Sequence, residues 1–232
     1  GMDEEISVII YDKQIKFTKQ GGKMKKLKLL AAVGFGAVSL AGLAGSAVYA
    51  ANTANSTLTQ TINAGALSTD IRNSSNAVVS NPTFAMGAVT LSTSAQTSTG
   101  TFGENDKRIS VDNPGGANNG WTLTLNATTP GTGKWTDGGK SYKYNGTAAD
   151  GRLTVDPSTG TVTPVIGTAT GITKGSSMAF SGSNPVTLMS ASAGADAVWN
   201  GYITGVSLKQ DIPAGQQAGT YTLPMTQTVA AI

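Results

Sequence analysis

From residue 51 onward the chain is written in a two-residue rhythm that permits strands and little else. In the stretch 118–125, Trp121, Leu123 and Leu125 alternate with Thr122 and Thr124. Side chains of a strand point to opposite faces in turn, so the three apolar groups share one face. Asn118, Asn119 and Gly120 supply a turn into that strand. Shorter runs repeat the rhythm at 57–62 (Thr-Leu-Thr-Gln-Thr-Ile), 66–71, Ile109/Val111, Leu153/Val155, 162–165, 186–188, 197–203, 206–208 and 221–229. Between them lie turn clusters such as Asp156-Pro157-Ser158-Thr159-Gly160. No helical period competes, and the pattern predicts an all-β domain, a single Ig-like or Greek-key β-sandwich or barrel. Residues 93–103 and 131–151, rich in Gly and small polar groups, are expected as surface loops.

The final run carries register information. Tyr221, Leu223, Met225, Gln227 and Val229 fall on one face, with Thr222, Pro224, Thr226 and Thr228 on the other. Pro224 cannot donate to a ladder, which predicts a sheet edge or a bulge. Gln227 interrupts an otherwise apolar face and is expected exposed or half-exposed, because no charged partner lies near it in sequence.

The first 50 residues read differently. Met24-Lys25-Lys26-Leu27-Lys28 precedes an apolar run over 29–43, and Ser46-Ala47-Val48-Tyr49-Ala50 follows. A basic head, an apolar centre and small residues at Val48 and Ala50 describe a secretory signal peptide over 24–50, a signal helix cleaved between Ala50 and Ala51. A spanning helix needs about 20 apolar residues, and this run is interrupted by Gly34, Gly36 and Ser39. Residues 1–23 stand upstream of an apparent start at Met24. They are read as a gene-calling artefact, or else as an extension, and 51–232 as the mature β-domain. The expectation is export, with no membrane association after cleavage.

Charge follows the same division. Seven of the 16 Lys and Arg and four of the 13 Asp and Glu precede residue 51, leaving nine of each sign in the remainder. A balanced domain has no electrostatic footprint for nucleic acid. The absence of cysteine excludes a disulfide framework and a thiol nucleophile; the absence of histidine excludes imidazole acid–base chemistry and a Ser-His arrangement. The expectation is a protein that is not an enzyme and has no resident cofactor.

Asp112-Asn113-Pro114-Gly115-Gly116 followed by Gly120-Trp121-Thr122-Leu123 resembles the first signature of the WxL family of Gram-positive-type bacterial surface proteins. Ala218-Gly219-Thr220-Tyr221 with the Thr226-x-Thr228-Val229 frame resembles its second. Gln227 stands where that signature has a Trp, and the first lacks its usual Arg. The resemblance implies a secreted cell-surface protein attached non-covalently to the peptidoglycan of the cell wall. It carries Trp121, Leu123, Tyr221, Gln227 and Val229 over as wall-binding positions. A chain ending at Ile232 without a sorting motif fits that expectation. A different class of protein, a self-assembling surface fibre or layer subunit joined through edge strands, fits the same strands, and the partners expected are a cell-wall glycan or other surface proteins.

Two further clusters bear on ligands. Trp135, Tyr142 and Tyr144 fall in a Gly- and Lys-rich stretch, where flat rings either stack on sugars of a wall glycan or cap the end of the core. Asp106 and Asp112, with Glu104, Asn105 and Asn113, offer oxygen donors for an irregular Ca²⁺ site without EF-hand spacing.

Overall fold

The computed structural model describes residues 6–11, 14–19, 54–195 and 197–232. The expected signal peptide and its Ala50/Ala51 cleavage site lie outside them. The chain divides into two units, Gly1–Leu58 and Thr59–Ile232. In the first, β1 (Ile6–Tyr11) and β2 (Gln14–Lys19) form an antiparallel pair, with Ile6 opposite Lys19 and Tyr11 opposite Gln14.

The second unit is all-β and antiparallel. Its strands are β3 (Ser68–Arg72), β4 (Gln96–Phe102), β5 (Arg108–Asn113), β6 (Trp121–Ala127), β7 (Lys134–Asp137), β8 (Lys140–Lys143), β9 (Arg152–Asp156), β10 (Thr161–Ile166), β11 (Ile172–Lys174), β12 (Met178–Ala179), β13 (Val186–Ala191), β14 (Trp199–Thr204), β15 (Val206–Ile212) and β16 (Met225–Ala231). They form sheets ordered β10-β14-β5-β3, β12-β9-β15-β4 and β11-β13-β6-β16, with β7-β8 a separate hairpin. The sheets do not close into a barrel, and the layers are those of a β-sandwich.

The first two sheets are halves of one bent sheet. β4 leads into β5, β9 into β10 and β14 into β15, each pair keeping the same neighbours on both sides of the bend. Glycine makes the corner. Gly205 alone separates β14 from β15 at φ +76°, Gly103 sits beside it at φ +83°, and the Gly205 amide donates to the Gly103 carbonyl at 2.7 Å. A Cβ on Gly103 would lie 2.9 Å from the Ile203 carbonyl oxygen, so the close backbone approach and the left-handed conformation both demand glycine.

β6 is the central strand of the third sheet, between β13 and β16, and its exposure alternates as its sequence does. Trp121, Leu123 and Leu125 face inward against Ile109, Val155, Leu188 and Ile203. Trp121 packs on Trp199 with ring centroids 5.3 Å apart. Gly120, at φ +84°, fits where a Cβ would meet the Ala191 carbonyl oxygen. β9 ends in a 3₁₀ turn, Pro157–Thr159, capped by Asp156, whose carboxylate accepts from the Ser158 amide at 3.1 Å.

Four expectations are corrected. Residues 93–103 are not a loop but contain β4. Its inward positions include Ser98 and Gly100, too small to register as apolar. Residues 131–151 contain the β7–β8 hairpin, which turns at Gly138 (φ +58°) and Gly139. Residues 57–62 form no strand despite their alternation, because no partner strand lies beside them among the described residues. The last strand begins at Met225, not at Tyr221, and it is an edge strand, as Pro224 predicts.

Candidate functional site

The β7–β8 hairpin places Trp135 opposite Tyr142, with their rings nearly parallel at 14° and centroids 6.1 Å apart. The segment preceding β16 completes the group. Thr136 and Thr222 exchange both backbone hydrogen bonds at 2.9 Å, which draws Tyr221 against Tyr142 edge-on at 5.1 Å. Gly219 explains why this segment approaches so closely. A Cβ there would collide with the Asp137 carboxylate and the Lys140 ammonium, which pair at 2.5 Å. Lys140 also donates to the Ala218 carbonyl at 2.6 Å and lies 5.9 Å from the Tyr221 ring centroid. Its hydrogen bond with Asp137 holds the ammonium above its ordinary pKa despite some burial.

Amide side chains orient the rings. The Trp135 indole N–H donates to Gln210 Oε1 at 2.7 Å, and Gln210, itself 1% exposed, donates from Nε2 to the Asp211 carbonyl at 2.7 Å. The Tyr221 hydroxyl donates to the Gln217 carbonyl at 2.8 Å and accepts from Gln216 Nε2 at 2.6 Å. Burial, with Tyr221 adding to it, pushes the Tyr142 phenol up to about 12, so it stays neutral across the physiological range.

Two grooves meet at these rings. One, of about 540 Å³, runs past Trp135, Tyr142, Tyr221, Gln96 and Gln216, and no Asp, Glu, Lys or Arg lines it. The other, of about 580 Å³, is also lined by Trp135 and Tyr221, together with Phe102, Leu125, Leu153, Leu208 and Met225.

The residues expected from sequence are distributed unevenly around this place. Trp135 and Tyr142 of the aromatic cluster converge with Tyr221 of the second signature-like segment. Tyr144 does not join them: it is fully buried, edge-on to Phe180 at 5.2 Å, and its ring has no face for a sugar. Trp121 and Leu123 are 1% and 0% exposed and offer nothing to a ligand directly. Val229 is half-buried and turns inward to the core.

Gln227 is half-buried and borders the second groove. Its Nε2 donates to Thr69 Oγ1 at 2.7 Å, a partner 158 residues away, while its Oε1 is buried with none. Asp106 and Asp112 are not brought together. Asp106 lies in the turn before β5 and Asp112 near the strand's end, beyond about 13 Å of extended chain from Arg108. No group of three or more His, Cys, Asp or Glu side chains converges among the described residues. Gln210 lies beyond the alternating run 206–208, in a strand that continues to Ile212, and its polar side chain gives no apolar signal of its burial.

No family model, characterised protein or solved structure matches this chain.

Proposed function

We propose that this is a non-enzymatic, exported bacterial cell-surface protein that holds non-covalently to the wall through a WxL-like β-domain. The Trp135–Tyr142–Tyr221 groove takes sugar rings of the glycan strand. One observation carries the reading: the hairpin aromatics and the tyrosine of the second signature-like segment converge on one uncharged groove bordered by amides. Aromatic faces present apolar area to the C–H faces of a sugar, and the neighbouring amides can exchange hydrogen bonds with hydroxyl and acetamido groups. A lining without charge favours neutral sugar rings over the anionic polymers of a wall. The lack of cysteine and histidine in the sequence is in keeping with binding in preference to catalysis.

The test is retention of the secreted protein on purified peptidoglycan stripped of anionic polymers. Tyr142→Ala and Tyr221→Ala each remove a ring from the groove and should weaken retention by about tenfold, the worth of one well-buried apolar contact. Trp121→Phe, in the core, should bind as the parent does. Equal retention of all four proteins, each shown to be folded, would remove the groove from the account.

A further inference from the structure

We propose that residues 57–62 are a donor strand, which adds to the free edge of β16 in a second copy of this chain and seats Leu58 and Ile62 in the apolar groove beside it. The inference is independent of glycan binding.

The donor is conspicuous. Thr-Leu-Thr-Gln-Thr-Ile alternates as a strand must, yet Leu58 is 96% exposed and Ile62 89% exposed. Leu58, Gln60 and Ile62 would share one face of a strand and the three threonines the other. Threonine and isoleucine favour extended backbone, and a single alternating strand without a sheet leaves its ladder groups and its apolar face unsatisfied.

The acceptor follows from surveying the sheet edges among the described residues. The β4 edge is partly occupied, since Met86 bridges Gly100 and the Gly87 amide donates to the Thr99 carbonyl at 2.6 Å. The β3 edge is met by Val78 and Val79. β10 carries Pro164, and β11 and β12 are three and two residues long. That leaves β16, seven residues long and with backbone pairing on one side only, to β6; β3 approaches it through the Gln227–Thr69 side-chain bond and makes no ladder with it.

Along its inward face lies the groove of about 580 Å³, where Leu125, Leu153, Leu208 and Met225 form an apolar floor. Chemistry matches along the strand as well. Gln60 stands between Leu58 and Ile62 as Gln227 stands between Met225 and Val229, and Gln60 brings an amide N–H of the kind that the buried Gln227 Oε1 lacks. Strand addition of this kind draws affinity from main-chain hydrogen bonds and specificity from sockets for alternate side chains.

A second copy is favoured over the chain's own segment by where the segment is fastened. The Gly65 amide donates to the Pro114 carbonyl at 3.2 Å, at the end of β3 where Ser68 pairs with Asp112. The groove opens past Ile71, at the other end of β3, so residue 62 would have to double back within three residues to reach it. Donor and acceptor on different surfaces make a head-to-tail contact, which builds a ring or an open filament and not a two-fold dimer.

The experiment is sedimentation of the full chain, as secreted from a bacterial host, over a range of concentrations. The parent should form a concentration-dependent series of oligomers. Leu58→Asp combined with Ile62→Asp should be monomeric with unchanged melting, since both side chains are solvated in the single chain. A fluorescent peptide of residues 55–63 should bind that variant. The same peptide carrying both aspartates should bind at least about tenfold more weakly, having lost two apolar anchors. A parent that stays monomeric throughout overturns the proposal, as does an Asp variant that assembles as the parent does.

Discussion

Trp121→Ala is the sharpest test of why this sequence folds. Trp121 is 1% exposed and its ring lies against that of Trp199. Removing a buried large aromatic costs about 3–5 kcal/mol through lost transfer energy and the cavity left behind. Trp121 has a handicap, however. Its indole N–H is buried with no hydrogen-bond partner, a penalty of about 1–3 kcal/mol that the substitution relieves. The net loss should therefore be about 2 kcal/mol. Trp199 is as deeply buried and donates from Nε1 to the Thr168 carbonyl at 2.9 Å, so Trp199→Ala should cost more. For a unit of this size each kcal/mol moves Tm by about 2–4 °C, which puts Trp121→Ala about 4–8 °C below the parent. Trp121→Phe keeps most of the ring and drops the orphan donor, and should melt within a few degrees of the parent. Thermal unfolding followed by far-UV circular dichroism reads all three without relying on tryptophan emission. If Trp121→Phe proves as damaging as Trp121→Ala, or Trp199→Ala is the milder of the two truncations, the assigned packing and orphan N–H are wrong.

Three further outcomes are expected. Gln227→Leu gives up the bond to Thr69 but also the unpaired Oε1, and Thr69 Oγ1 keeps its bond to the Ser110 carbonyl at 2.7 Å; the urea midpoint should rise by the equivalent of about 1 kcal/mol, and a fall would refute this account. Gly205→Ala meets only the Gly160 Cα, at an ordinary contact distance of 4.0 Å, and pays for its left-handed backbone, about 1–2 kcal/mol, whereas Gly103→Ala adds a clash with the Ile203 carbonyl; chemical denaturation should rank Gly103→Ala clearly lower, and equal midpoints would count against the glycine corner. Tyr142 should ionise late in a spectrophotometric titration. Its folded pKa lies near 12 against 10.0 in the open chain, so the stabilisation from its neutral form is complete below pH 10 and is lost as pH rises through about 12. A Tyr142→Phe variant should lose the step near pH 12, and an unchanged titration there would refute the assignment.

The all-β class and most strand positions were legible in the sequence because they depend on a local property. Alternation fixes which side chains share a face wherever one face is buried, so the strands around Ile109, Trp121, Leu153 and Val186 could be read directly, as could the edge position of β16 from Pro224. The same reasoning failed where burial was achieved without apolar side chains. β4 uses Ser98 and Gly100 as its inward positions, and the hairpin carrying Trp135 and Tyr142 sits in a stretch whose glycines and lysines read as loop. It also failed at 57–62, where the right rhythm has no neighbouring strand to complete it.

What only tertiary structure decided is which aromatics are available and which are spent. Trp121, Tyr144 and Trp199 lie in the interior, while Trp135 and Tyr142 meet Tyr221 across nearly 80 residues of chain at the mouth of two grooves. An aromatic ring is equally at home in a core and in a binding groove, because both reward the same apolar area. Its fate is settled by what the opposite sheet presents to it. That partner is named by strand pairings such as Thr136 with Thr222 and by contacts such as Gln227 with Thr69, whose sequence separations no local pattern encodes.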